Sequence, residues 1–192
     1  MEKLNPKFIV AIGGSAGALS AYKAFLGALP SNTGMAFIIV SHMSPIAYSE
    51  LAQILSRHTN MPVIVPSTEM PIQRNHVYVI PKDADLLIEG DAFKVVSPRS
   101  RVNKQIDLLF ISLAEAIGAR AIGIVFSGYD GDGTEGCKQI KAKGGITFAQ
   151  DASAEVEHMP FSAQASGCID FVLPPEKISN ELKKLVSTSL GK

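Results

Sequence analysis

Residues 8–18 read Phe8-Ile9-Val10-Ala11-Ile12-Gly13-Gly14-Ser15-Ala16-Gly17-Ala18. Five apolar residues without a charge lead into a glycine-rich turn, and a helical pattern follows. A short continuous apolar run bounded by glycine reads as a strand buried on both faces, as in a parallel sheet. The order strand, glycine turn, helix puts Ser15 at the carboxyl end of a strand and beside a helix N-terminus. Both are places where α/β proteins bind ligands and anions. Three readings of the turn compete. A dinucleotide or phosphate loop needs G-x-G-x-x-G or a Lys-Ser/Thr pair; counting from Gly13, Ser15 and Ala18 stand where glycine is wanted, and the pair is missing. A nucleophile turn, G-x-S-x-G, fits Gly13-Gly14-Ser15-Ala16-Gly17, its small neighbours leaving the serine hydroxyl clear. The third reading is a structural turn without chemistry, and five residues alone do not decide between the last two.

Outward from this stretch the same alternation recurs. Leu19, Tyr22, Phe25, Leu26 and Leu29 have helical spacing on one face, and Pro30-Ser31-Asn32 ends the segment. Residues 35–41 (MAFIIVS) predict a second buried strand, followed directly by His42. Ser44-Pro45 opens a helix over about 47–57, and 62–65 predict a short strand. The middle of the chain holds three short β-rich runs, 76–80 (HVYVI), 85–88 (DLLI) and 93–96 (FKVV). They predict an antiparallel meander or hairpin added to a parallel sheet. Arg99-Ser100-Arg101 reads as polar connection, and 105–117 as a helix. Residues 121–126 (AIGIVF) form another buried run, ending in Ser127-Gly128-Tyr129-Asp130-Gly131-Asp132-Gly133. A helix over 134–143 stops at Gly144-Gly145. A strand over 146–149, a polar loop over 150–160, a short helix near 161–165 and a last strand over 169–173 follow. Pro174-Pro175 opens a terminal helix. The pattern predicts an α/β fold: a doubly wound, mostly parallel sheet with an antiparallel β-hairpin addition.

Composition bounds the rest. A chain of 192 residues with 46% hydrophobic content suits one domain with a full core, and no Pro-, Gly- or Ser-rich linker divides residues 1–192. Lys+Arg and Asp+Glu are 18 each, a balance that argues neither for nor against nucleic acid. No apolar stretch reaches the roughly 18 residues a membrane helix needs. The polar start, MEKLNPK, lacks the apolar region of a signal peptide, so the expected location is cytoplasmic. Cys137 and Cys168 form no C-x-x-C and read as two buried thiols rather than a metal site.

In a doubly wound sheet all parallel strands point their carboxyl ends to one edge. Ser15, His42 and the Asp130/Asp132 loop each follow a predicted strand. A serine hydroxyl needs a base, and the base needs an acid to fix its tautomer, so these three meet the chemical needs of a triad. Each also has a plain reading. His42 reads equally as a buried histidine bonded to backbone, and the aspartates as a solvated Gly-Asp turn. Thr134 stands where a calcium loop needs a third acid. The order Ser, His, Asp disfavours an α/β-hydrolase, which runs Ser, Asp, His. His158, in the 150–160 loop, is an alternative base, and that loop is a candidate wall of the site.

The segments GGSAG (13–17), SHMSP (41–45), HVYVIP (76–81), SGYDGDGTEG (127–136), GGITFAQDASAE (144–155) and GCIDFVLPPE (167–176) stand in this order. Together they resemble the catalytic domain of the chemotaxis protein-glutamate methylesterases, the CheB family, over about residues 8–186. The resemblance looks strongest to the type fused to a methyltransferase and sensor domains, through ALPSNTGMAF (28–37), SRHTNMPV (56–63) and IDLLFISLAEAIGARAIG (106–123). It implies a serine hydrolase with Ser15 as nucleophile, His42 as base and Asp132, of the G-x-D-G turn, as acid. The backbone N–H groups of Ala16 and Tyr129 would form the oxyanion hole. The implied reaction is hydrolysis of γ-glutamyl methyl esters on the cytoplasmic domain of methyl-accepting chemotaxis receptors, with glutamine deamidation as a second activity. It implies no metal or organic cofactor, no nucleic-acid partner and no membrane insertion. A methyltransferase or sensor domain in a longer protein is a further partner it implies.

The sequence departs from the family pattern at several positions. The receiver domain of stand-alone members is missing from the 192 residues, so control by phosphorylation within this chain is not expected. Asp130 stands where relatives usually carry Gly, beside the triad acid. Ala18 and His158 also replace glycines, and Ile111 and Phe161 stand where relatives carry arginine, whose forked guanidinium binds carboxylates as Ile and Phe cannot. Two alternatives follow: a docking module with weak or no catalysis, and an esterase for a small-molecule ester.

Overall fold

The computed structural model describes residues 5–42, 45–100 and 102–188, with backbone alone for 45–49. Ser44, expected to open the second helix, Arg101 of the polar connection, and residues 1–4 of the polar start lie outside the described residues. The order of elements is β1 (Ile9–Gly14), α1 (Ala18–Gly27), β2 (Ala36–Ser41), α2 (Pro45–Leu55), β3 (Val63–Ile64), β4 (His76–Val79), β5 (Asp85–Glu89), β6 (Ala92–Val96), α3 (Gln105–Ile117), β7 (Ala121–Val125), α4 (Thr134–Ala142), β8 (Ile146–Gln150), α5 (His158–Ala165), β9 (Phe171–Leu173) and α6 (Pro175–Thr188).

Seven strands form one parallel sheet in the order β3-β4-β2-β1-β7-β8-β9, and β5 and β6 form a separate antiparallel pair. The sheet winds outward from β1 in both directions, so the reversal of strand order falls between β1 and β7. That is where open α/β sheets leave a crevice beyond their strand ends. The strands alternate their apolar side chains between two cores. Ile9, Ala11, Ile38, Val40 and Tyr78 face α3, α4 and the β5–β6 pair. Val10, Ile12, Phe37, Ile39 and Val77 face α1, α2 and α6. Burial on both faces is why these runs read as continuously hydrophobic rather than alternating.

The doubly wound sheet with an added hairpin is the fold the sequence predicts, with one reassignment. Of the three mid-chain runs, His76–Val79 does not join the antiparallel addition; it pairs in parallel with both β2 and β3. Its side chains Val77, Tyr78 and Val79 are fully covered, which only an interior strand of a two-sided sheet allows. The β5–β6 hairpin has a positional role. Buried Asp85 of β5 accepts from the Ser100 backbone N–H (2.8 Å) and from the Gln105 side chain (3.0 Å). One carboxylate thereby fixes both ends of the connection leading into α3.

Candidate active site

Register alone brings the first three segments together. Gly14 pairs with Ser41 across β1/β2, and Gly13 with Val125 across β1/β7. The ladders then run one step past the strand ends: His42 N–H donates to Gly14 O (3.0 Å), Phe126 N–H to Gly13 O (2.8 Å), and Ser15 N–H to Ser127 O (2.8 Å). Ser15 therefore sits in the crevice between β1 and β7, with His42 beside it from β2.

The turn after Ser15 depends on Gly17, whose φ of 75° caps α1 in the left-handed region. Buried Ser127 ties three segments to this turn. Its Oγ donates to Ala16 O (2.7 Å) and accepts from Val156 N–H (2.9 Å), and its own N–H donates to Gln150 Oε1 (3.1 Å). Gly128 continues the wall, its N–H donating to Val156 O (3.0 Å) and its carbonyl accepting from Met159 N–H (2.9 Å). The 150–160 loop thus lies against the turn that carries Ser15, as the wall reading expects. His158 opens α5 as an exposed residue, and among the described residues no hydrogen bond joins it to Ser15 or Asp132.

His42 and Asp132 meet. Nε2 of His42 stands 2.7 Å from Oδ2 of Asp132, with both side chains nearly sealed from solvent. Asp132 is held on its other lone pairs by the backbone N–H groups of Ile106, Asp107 and Gly133, each at 2.9 Å. Two of those donors belong to the first turn of α3, so the carboxylate sits on a helix N-terminus. Asp107 beside it is also buried. Burial, first, and then the nearby Asp132 charge push its carboxyl above the usual range, while N–H bonds from Gly136 and Gly133 pull the other way.

Two features differ from the sequence expectation. Ser15 Oγ donates to the carbonyl of His42 (3.5 Å), and among the described residues no hydrogen bond joins it to the imidazole. The other ring nitrogen, Nδ1, faces Asn103 Nδ2 (3.0 Å) and Asp130 Oδ2 (3.2 Å). Asp130 also accepts the Asp132 N–H through Oδ1 (3.0 Å), which shapes the turn carrying the acid. Asn103 was not legible as a site residue, because nothing in Val102-Asn103-Lys104 marks which way a polar connection turns its side chains. The N–H groups of Ala16 and Tyr129 have no hydrogen-bond partner among the described residues, whereas those of Ser15 and Gly128 are taken. Tyr129 and Phe161 are exposed, at 70% and 65%.

A family model described as CheB methylesterase matches residues 10–182. The chain belongs to the CheB methylesterase family. Its enzyme class is that of a hydrolase. A protein of Leptospira interrogans is 35% identical over 185 residues, 94% of this chain and 96% of that relative. The protein-glutamate methylesterase/protein-glutamine glutaminase of Nitrosospira multiformis is 32% identical over 200 residues, covering 100% of this chain and 56% of the relative. The chain thus spans little more than half of that longer relative. The crystal structure of the Thermotoga maritima CheB methylesterase catalytic domain superposes with a TM-score of 0.85 at 27% identity, covering 93% of this chain and 98% of that one. A CheB catalytic domain is therefore the fold seen here. No helix among the described residues is long and apolar enough to cross a membrane.

Proposed function

We propose that this chain is a cytoplasmic serine esterase that removes methyl groups from γ-glutamyl methyl esters of chemotaxis receptors, with Ser15, His42 and Asp132 as its triad. The observation that carries the reading is the 2.7 Å contact of a sealed His42–Asp132 pair at the strand end beside Ser15. In this mechanism Asp132 fixes the ring by accepting from Nε2–H, and Nδ1 takes the Ser15 proton as Oγ attacks the ester carbonyl. The N–H groups of Ala16 and Tyr129, unpartnered among the described residues, receive the oxyanion, each such donor being worth about 10²–10³ in rate. The ring then hands its proton to the departing methoxide. Water, activated by the same nitrogen, cleaves the glutamyl-serine ester and restores Ser15. The same steps applied to a glutamine side chain release ammonia, the deamidation that relatives' names describe.

The test is methanol release from radiolabelled methylated receptor by the wild type and by Ser15→Ala. The triad reading expects a loss of about 10⁴-fold or more in the variant, since the three groups act as a unit. Equal release by both proteins would end it. A second reading is favoured by one observation, the absence of a Ser15–imidazole bond: a docking module whose chemistry has decayed. Covalent labelling of Ser15 by a serine-directed phosphonate speaks against it, and a folded protein that takes no label speaks for it.

A further inference from the structure

Both nitrogens of the His42 ring are engaged, and the ring is only 6% exposed. Asp132 already accepts three backbone N–H groups, so what it lacks at 2.7 Å is a donor, and Nε2 supplies that hydrogen. A neutral imidazole then carries its lone pair on Nδ1. Asn103 Nδ2 faces that lone pair at 3.0 Å and stands 2.8 Å from Asp130 Oδ2. A side-chain amide has two hydrogens, so one reaches Nδ1 and the other reaches Asp130. Should the ring take a second proton, Nδ1 becomes a donor, and Asp130 Oδ2 at 3.2 Å is there to accept. The pair therefore offers a partner to either state of the ring.

This contact competes with catalysis. With Nε2 committed to Asp132, Nδ1 is the nitrogen left to receive the Ser15 proton. One lone pair accepts one good hydrogen bond, and Asn103 has it, while the Ser15 hydroxyl turns to a carbonyl at 3.5 Å. We infer that Asn103 and Asp130 are positioning residues that latch the base: they hold His42 Nδ1 in the resting protein, and must release it before Ser15 can be activated. Their placement suits release. Asp130 is 40% exposed and Asn103 is exposed, whereas Asp132, on the other nitrogen, is sealed. The latch also draws together two loops, the one entering α3, pinned by Asp85, and the one leaving β7.

The inference rests on the triad reading, so the experiment separates the two. Asn103→Ala removes the amide, whose hydrogen bonds among the described residues go to His42 and Asp130. Asp130→Ser withdraws the carboxylate from Nδ1 and keeps a short oxygen for the Asp132 N–H, so the acid's turn is preserved. The readouts are the rate of Ser15 phosphonylation, kcat and KM for a small methyl ester, and the ¹⁵N resonance of His42 Nδ1. The latch expects faster labelling in the double variant by about fivefold, the worth of one net hydrogen bond. It also expects higher kcat at unchanged KM, and an Nδ1 resonance displaced by Asn103→Ala alone. Labelling that is unchanged or slower in the double variant overturns the latch, as does an Nδ1 resonance that Asn103→Ala does not move. Ser15→Ala in the double-variant background must abolish labelling. If the label persists elsewhere, the triad reading has failed rather than the latch.

Discussion

Asp132 and Asp107 cap each other's helices. Neither α3 nor α4 has a side-chain cap from its own N-cap residue, Lys104 and Gly133 respectively. Asp132, just ahead of α4, accepts the Ile106 and Asp107 N–H groups at the start of α3. Asp107, in the first turn of α3, accepts the Gly133 and Gly136 N–H groups at the start of α4 through Oδ1 (2.9 and 2.8 Å). Each such cap is worth about 0.5–2 kcal/mol. Asp132, the acid of the proposed triad, is thus placed by the same bonds that start two helices, which ties the site's geometry to the stability of the domain.

A pH prediction follows for Asp107. Its carboxyl is raised above the usual range, chiefly by burial. A raised acid keeps its proton in the folded protein after the unfolded chain has lost it. The folded state then binds more protons, and stability falls as pH rises from the unfolded carboxyl value through the raised one. Asp107→Asn retains an oxygen for the Gly133 and Gly136 bonds and cannot ionise. Urea unfolding across that window should show a flatter decline in the variant, by at most the roughly 1.4 kcal/mol per pH unit that one proton can impose. Parallel curves for the two proteins would refute the assignment.

Gly128 supplies a second prediction, one that separates rate from stability. A Cβ added there would stand 2.7 Å from Met159 Cε and 3.0 Å from Ser15 Cβ. The methionine tip can swing away, but Ser15 is fixed by its N–H bond to Ser127 O. Gly128→Ala should cost a modest 1–3 kcal/mol or so in stability. If Ser15 is the nucleophile, displacing it by about 1 Å should cost on the order of 100-fold in ester hydrolysis. Gly131→Ala is the control, since its added Cβ has nothing nearer than Ser162 Cβ at 3.9 Å. Equal rates for the two variants would mean that Ser15 is not the reacting group.

The parts of this site that were legible in the sequence are those set by strand direction. Ser15, His42 and the Asp130/Asp132 loop each follow a buried apolar run, and a parallel sheet sends every such run to the same edge, so no contact need be known to gather them; strand direction leaves the two aspartates open, and only the family resemblance picks Asp132. The β5–β6 hairpin is legible as an addition, but the sequence pattern groups His76–Val79 with it. A four-residue apolar run carries no mark of its partner strand, and only burial on both faces assigns it to the main sheet. Asn103 and Asp107 were not legible as parts of the site at all. Their roles depend on which way a connection and a helix start turn toward a loop some 25 residues away in sequence, at contacts separated by 27 and 26 positions. Short-range pattern cannot encode such pairings.

The two cysteines give the last prediction. Cys168 is drawn down to about 6, first by its hydrogen bond with Cys137, against burial and with help from Ser166, whose Oγ lies 2.8 Å from the sulfur. Cys137, in the first turns of α4 and fully buried, is pushed well above the ordinary thiol value by the same bond and by burial. The two shifts run in opposite directions, so of the two thiols Cys168 is the one that ionises first. A depressed acid contributes stability that is present above its unfolded value and lost as pH falls through the folded one. Ultraviolet absorbance of the thiolate, which needs no reagent to reach a buried sulfur, should rise with a midpoint near the value given for Cys168. In Cys137→Ala the donor is gone, and the midpoint should move up toward the ordinary thiol value of about 8.5. If wild type and variant titrate together, the bond between the two sulfurs is not what sets the charge on Cys168.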